Sequence, residues 1–219
     1  LESELEASGK LDRLAEVQHI LPPEISCIYI RQSEALGLGH AVLCSKSVVG
    51  DEPFAIILAD DLIDGGDKSC LQQMVDMYEK EQSGVIGVQK VPLEDVKNYG
   101  VVAGQNTKDR LWKLSGLVEK PKPEDAPSNV AVVGRYILES SIFEMLEETQ
   151  PGSGGEIQLT DAIVKQLQQE SVYAYEFEGR RYDCGSKLGY LQATLEYGLK
   201  HPEVGAAFKA YLKKMDCFK

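Results

Sequence analysis

No stretch of this sequence approaches the roughly eighteen continuous apolar residues of a membrane span, and no charged-then-apolar signal peptide opens it. The five cysteines (Cys27, Cys44, Cys70, Cys184 and Cys217) are odd in number and form neither a C-x-x-C pair nor zinc-finger spacing. They read as reduced thiols, and the expected compartment is the cytoplasm. Basic residues are outnumbered: 23 Lys and Arg stand against 35 Asp and Glu, a formal charge of −12. Nucleic acids and anionic membranes are recognised by basic surfaces, so neither is an expected partner. Neither G-x-G-x-x-G nor a P-loop occurs, and there is no internal repeat or low-complexity segment. An anionic substrate would need local Lys or Arg, or a metal ion.

What is present fits a globular chain. Its 219 residues are enough for one large domain or two small ones, with a sizeable core. Short β-branched runs predict strands at Cys27–Arg31 (CIYIR), Phe54–Leu58 (FAIIL), Gly84–Val91, Leu111–Glu119, Val130–Leu138 and Val172–Phe177. Helical spacing predicts helices over His40–Ser47, Cys70–Glu81, Ser140–Glu147, Glu156–Gln169, Lys187–Leu199 and Val204–Lys214. Strand and helix alternate early, the cadence of crossovers over a parallel sheet, and FAIIL reads as a central strand covered on both faces. Between Asn98 and Leu138 the strands follow one another through turns, which predicts an antiparallel insertion or edge. The expected fold class is α/β: three layers, with a mixed, mostly parallel sheet.

Several short segments could carry chemistry, each with a plainer reading beside it. Asp60 and Asp61 follow FAIIL at a strand end, where a carboxylate is placed to hold Mg²⁺ and equally to make a turn or cap a helix. In Arg31–His40 a strand end meets two glycines and a helix start, so its amides could meet an anion or a flat ring. Gln32 there has the paired donor and acceptor that can read a base edge. An ordinary βα turn explains the same residues. Glu119 and Lys120 close a long strand; Glu119 could accept from sugar hydroxyls while Lys120 neutralises a phosphate, and the two point to opposite sides if strand geometry persists. A solvated strand end is the alternative. Gly100 offers backbone contact within Asn98-Tyr99-Gly100, or a simple turn beside a packed tyrosine. Asp183 puts a second carboxylate in a tight turn before a helix, where capping is the alternative. His40 has no partner in the sequence suggesting a triad or a metal cluster, and Cys184 no neighbouring base.

The order of these motifs says more than any one of them. GLGHAV (37–42), ILADD (57–61), NYGVV (98–102), VEKP (118–121), SNVAVVGRY (128–136), GEIQLTDAI (155–163) and DCGSKLGY (183–190) together resemble one family, the bacterial-type UTP–glucose-1-phosphate uridylyltransferases, or UDP-glucose pyrophosphorylases. The resemblance runs from Leu1 to the C-terminal region and implies a Rossmann-like nucleotidyltransferase fold. It also implies Mg²⁺-dependent transfer from UTP to glucose-1-phosphate, giving UDP-glucose and pyrophosphate. By motif match, Asp60 and Asp183 resemble the metal carboxylates, with Asp61 second choice to Asp60. Gln32 and Gly37 match contacts to the uracil ring, Gly100 a backbone contact to the sugar, Glu119 the acceptor for glucose hydroxyls, and Lys120 the lysine on the sugar phosphate. Asp60 and Lys120 are thus the implied catalytic residues.

One departure stands out. The family opens with a strand and a glycine-rich loop of the form G-x-G-T-R…P-x-T-K-x-x-P-K, which does not occur here. The expectation is a single nucleotidyltransferase domain over 1–219, incomplete at its N-terminus and impaired in turnover by itself. Residues 186–219 are expected to be a helical region used in a homo-oligomer, a dimer or tetramer. A related pyrophosphorylase for another base or sugar, a non-catalytic sugar-nucleotide-binding fragment, and a purely structural subunit remain as alternatives.

Overall fold

The computed structural model of the chain describes residues 1–108 and 110–215, so Cys217 and the last residues of the expected helical region lie outside the described residues. The chain divides into two compact units, Leu1–Ser33 and Glu34 onward.

In the first unit the amphipathic opening folds as two short helices, α1 (Glu2–Ala7) and α2 (Leu11–Gln18). CIYIR, expected as a strand, belongs to no sheet among the described residues. A strand is defined by a neighbour's ladder, and among the described residues none pairs with this run. Ile28 and Tyr29 are exposed accordingly.

The second unit begins with two helices, α3 (Leu38–Leu43) and α4 (Lys46–Val49), in place of the single helix expected over His40–Ser47. Then come β1 (Phe54–Ile57), β2 (Asp61–Asp64), α5 (Cys70–Glu81) and β3 (Gly84–Lys90). Three long strands follow, β4 (Gly100–Lys108), β5 (Leu111–Glu119) and β6 (Val130–Leu138). Helices α6 (Ile142–Glu147) and α7 (Leu159–Gln166) lead to β7 (Val172–Glu176) and β8 (Arg180–Asp183). The described chain closes with α8 (Lys187–Lys200) and α9 (Gly205–Leu212).

Six strands form one sheet in the order β1-β6-β3-β7-β5-β4, and β2 pairs with β8 in a separate ribbon. The sheet is mixed, as expected, but not mostly parallel: among the described residues β3–β7 is the only parallel pairing. The early crossovers do not build neighbours, because CIYIR has no strand partner among the described residues and β1 lies against β6 antiparallel. FAIIL is accordingly not the covered central strand; β1 sits at the end of the strand order, and Ile57 is 56% exposed. That place belongs to β6 and β3, whose residues are buried along nearly their whole length. The antiparallel segment expected between Asn98 and Leu138 is there as β4, β5 and β6.

Helices cover both faces of this sheet, which makes the third layer. On one face Ile142, Phe143 and Leu146 of α6 and Leu159 and Ile163 of α7 join Ile86, Val88 and Leu138 in the larger core, and Phe143 stacks on Phe54 with centroids 5.0 Å apart. On the other, Cys70 and Met74 of α5 pack on Val85, Val133 and Ile137. α5 matches its expected bounds because its signals are local: an apolar face at helical spacing, and Ser69 at the N-cap, whose side chain accepts from the Gln72 amide at 3.2 Å. Ser69→Ala should lower stability by about 1 kcal/mol in urea titration, with no change in the slope.

Candidate active site

The ends of β1, β5 and β8, the start of β4, the middle of β6 and the loop leading into α7 surround a cleft of about 360 Å³. Its two ends differ in chemistry.

One end is acidic and is built by the β2–β8 ribbon. The register sets Asp61 opposite Asp183, and the ladder continues one step further, the Cys184 amide donating to the Asp60 carbonyl at 2.7 Å. The chain therefore delivers Asp60 and Asp183 side by side from strands more than a hundred residues apart. A Cβ on Gly185 would lie 3.1 Å from Asp183 Oδ1 and 3.2 Å from Asp60 Oδ2, so the two carboxylates converge on the space that this glycine leaves open. The Gly185 amide donates to Asp183 Oδ1 at 3.1 Å.

Asp61 is differently placed. Its side chain is 8% exposed; Oδ2 accepts from the Gly134 amide at 2.6 Å, and Oδ1 receives the Nε of Arg181. Both oxygens are committed to protein partners, whereas Asp60 is exposed at the cleft. Arg181 also reaches Asp183, Nη2 to Oδ2 at 3.8 Å, and lies over the Tyr99 ring at 5.0 Å. Burial works against its charge, but hydrogen bonds to Tyr99 and Asp61 outweigh it and hold the guanidinium above its ordinary pKa. Arg135 pins the same turn from beneath, donating to the carbonyls of Leu58 at 3.1 Å and Asp61 at 2.6 Å.

The other end carries Glu119, Lys120, Gly100 and Thr160. Glu119 faces Gly100 across the β4–β5 ladder, and its Oε2 accepts from the Thr160 hydroxyl at 3.1 Å. A Cβ on Gly100 would stand 3.0 Å from the Thr160 methyl and 3.2 Å from Glu119 Oε2, so only glycine leaves this corner open. Lys120 Nζ lies 3.7 Å from Glu119 Oε1. Strand alternation would have sent these two neighbours to opposite sides. It does not persist: Lys120 has φ +45°, its amide donates to the Tyr99 carbonyl at 2.9 Å, and both residues line the cleft. Between the two ends, burial, with the charges of Glu119 and Asp61 added, pushes the Tyr136 phenol well above its usual range, so it stays protonated.

Of the residues expected from the sequence, Asp60, Asp183, Gly100, Glu119 and Lys120 all line this one cleft. Gly37 does not; it caps α3 at φ +92°, packed on Glu156 and Ile157, and its neighbour Leu38 reaches the cleft instead. Gln32 belongs to the first unit. Sequence reasoning missed Thr160 and Arg181. Thr160 lay inside a quoted motif, and Arg180–Arg181 is a basic pair in an acidic chain, separated from the singled-out Asp183 by Tyr182 alone.

Comparison with known proteins shows the family. The family described as nucleotidyl transferase matches residues 2–199. A UTP–glucose-1-phosphate uridylyltransferase of Staphylococcus epidermidis is 45% identical over 216 residues, covering 99% of this chain and 74% of the relative. Among solved structures, a UTP-bound UGPase from Acinetobacter baumannii superposes with a TM-score of 0.89 at 43% identity, over 98% of this chain and 75% of that one. A UDP-glucose pyrophosphorylase complexed with UDP-glucose superposes with a TM-score of 0.82 at 45% identity, over 89% of this chain and 74% of that one.

Proposed function

The chain belongs to the UTP–glucose-1-phosphate uridylyltransferases of the nucleotidyl transferase family, and from that membership we infer that its cleft joins UTP and glucose-1-phosphate into UDP-glucose and pyrophosphate. The observation that carries this reading is the pairing of two convergent carboxylates at one end of the cleft with the Glu119–Lys120 pair at the other. In the reaction a phosphate oxygen of glucose-1-phosphate forms a bond to the α-phosphorus of UTP, and the bond from that phosphorus to the pyrophosphate oxygen breaks. No covalent help from the protein is needed, so rate comes from alignment and charge.

The chemistry of the acidic end fits Mg²⁺. Among the described residues no cluster of three or more His, Cys, Asp or Glu forms a metal cage. Two carboxylates meeting over Gly185 match the way a hard cation is held by one or two acids plus substrate phosphates. Asp60 and Asp183 would hold it. Bound there, Mg²⁺ supplies Lewis-acid neutralisation of the phosphate charge.

The chain's own groups do the rest. Lys120 takes the phosphate of the sugar, which lessens repulsion between that dianion and the triphosphate. Glu119, oriented by Thr160, accepts hydrogen bonds from glucose hydroxyls, and Gly100 lets the sugar come against the backbone. Gln32 and Gly37 keep the assignment to the uracil ring that the family resemblance implies. The exposed apolar residues Leu188, Tyr190 and Leu191 on α8 and Tyr211 on α9 support self-association into a homo-oligomer. The described cysteines Cys27, Cys44, Cys70 and Cys184 are free thiols, which supports the cytoplasm as the compartment.

The test is pyrophosphorolysis. Supplied with UDP-glucose, pyrophosphate and Mg²⁺, the chain joined to the glycine-rich G-x-G-T-R segment that the family resemblance implies should release UTP and glucose-1-phosphate. UDP-glucose should be consumed at least about tenfold faster than CDP- or dTDP-glucose, read by chromatography of the nucleotides. Tight binding of UDP-glucose with no UTP released would instead establish a binding module.

A further inference from the structure

Asp61 and Arg181 have no role in the reaction as set out above, yet their side chains form a deeply buried ion pair beside the cleft, 8% and 9% exposed. A buried ion pair is a poor device for stability alone, since desolvation offsets much of its attraction. Its connections suggest what else it does. Asp61 is tied to the central strand β6 through the Gly134 amide at 2.6 Å. Arg181 is tied to Asp61 through Nε, and its other nitrogens point along the ribbon toward Asp183. Nη2 stands 3.8 Å from Asp183 Oδ2, and Nη1 donates to the Tyr99 hydroxyl at 3.4 Å. That hydroxyl donates to the same Oδ2 at 3.3 Å. Asp183 is thus held through Oδ2 by Tyr99 and Arg181 and through Oδ1 by the Gly185 amide, and Oδ1 also borders the opening it shares with Asp60.

We propose that Arg181 is a positioning residue for the cation site: anchored on the sheet through Asp61, its guanidinium fork fixes the Asp183 carboxylate at the spacing from Asp60 that a divalent cation requires. The proposal rests on reading Asp60 and Asp183 as the cation's ligands. The planar fork is what the role demands. It addresses two carboxylates from separate nitrogens while its face lies on Tyr99, and a lysine, with one terminal nitrogen, can keep the pair with Asp61 or reach Asp183 but not both. Arg181 also cancels one of the negative charges gathered by Asp60, Asp61 and Asp183, so the acids can approach each other before a cation arrives.

The experiment titrates Mn²⁺ into the protein in the presence of UDP-glucose and follows the free-ion signal by electron paramagnetic resonance, with UDP-glucose affinity in EDTA measured in parallel. Arg181→Lys keeps a cation beside Asp61 and should weaken Mn²⁺ binding about tenfold, the range for groups that orient metal ligands, while UDP-glucose affinity in EDTA stays within about twofold. Tyr99→Phe removes the hydroxyl bridge without unpairing a buried charge, so it tests the same link if Arg181→Lys fails to fold; it should weaken Mn²⁺ by about threefold. If these variants bind Mn²⁺ as the wild type does while Asp60→Ala binds it poorly, the proposal for Arg181 is overturned and the cation site stands. If Asp60→Ala also binds Mn²⁺ normally, the reading of the site and the proposal fall together. Loss of UDP-glucose affinity in EDTA in step with the loss of Mn²⁺ would make Arg181 a support of the whole cleft, and the proposal fails.

Discussion

Asp60→Ala should lower the rate of UDP-glucose formation by roughly a hundred- to a thousandfold with no change in melting temperature, whereas Asp61→Ala should cost the fold about 3 to 5 kcal/mol. Two adjacent and chemically identical residues are expected to give different phenotypes because their surroundings differ. Asp60 is exposed at the cleft, and its outer oxygen shares the space over Gly185 with Asp183. Removing it takes nothing from the core, but it takes away half of the carboxylate pair that would hold the phosphate-neutralising cation. Asp61 is buried, and its loss would leave the Arg181 guanidinium and the Gly134 amide without their acceptor. A buried charge stripped of its partner is among the most destabilising single changes, and in a chain of this size the melting point should fall by about 10 °C. Steady-state pyrophosphate release and thermal unfolding by circular dichroism, run on both variants, read the two effects separately. Retention of more than a tenth of the wild-type rate by Asp60→Ala, or an unshifted melt for Asp61→Ala, would break this division of roles.

That division was only half legible in the sequence. The motif ILADD pointed to an aspartate after a strand, and family order favoured Asp60 over Asp61, but nothing local distinguishes the two. What separates them is the pairing of β2 with β8, two strands of four residues each with more than a hundred residues between them. Neither is long enough to show a period, so their meeting, and with it Arg181, could not be read from patterning. The long strands were legible for the opposite reason. Leu111–Glu119 and Val130–Leu138 match their expected bounds, since nine-residue runs of apolar and β-branched side chains carry their own signal. Strand direction was legible between Asn98 and Leu138 but not in the earlier part. The alternation of strand and helix suggested parallel neighbours, and the chain instead runs β6 between β1 and β3, antiparallel to each. CIYIR shows the limit most plainly: β-branched composition favours an extended backbone, but a strand also needs a partner, and partners are set by the rest of the fold.

The backbone at Lys120 leads to the second large effect. Lys120→Gly and Lys120→Ala should both lower the rate of UDP-glucose formation by about a hundredfold or more, yet the glycine variant should melt as the more stable of the two by about 1 kcal/mol, and above the wild type as well. The rate loss is common to both because each removes the ammonium proposed to meet the sugar phosphate. The difference in stability comes from φ +45°, the left-handed region where an L side chain crowds its own backbone and glycine does not. The gain is smaller than the full left-handed strain because glycine also loosens the unfolded chain. Such strain is retained where it has a use, and here the use is geometric. In a continuing strand Glu119 and Lys120 would face opposite ways, and only one of them could serve the cleft. The left-handed turn, held by the Lys120 amide on the Tyr99 carbonyl at 2.9 Å, brings Glu119 and Lys120, the proposed acid for the sugar and cation for its phosphate, into the same cleft. Paired measurements of rate and thermal midpoint on the two variants separate the charge from the turn. Equal midpoints for glycine and alanine would mean that the turn stores no strain, while a glycine variant that kept its rate would remove Lys120 from the phosphate site altogether.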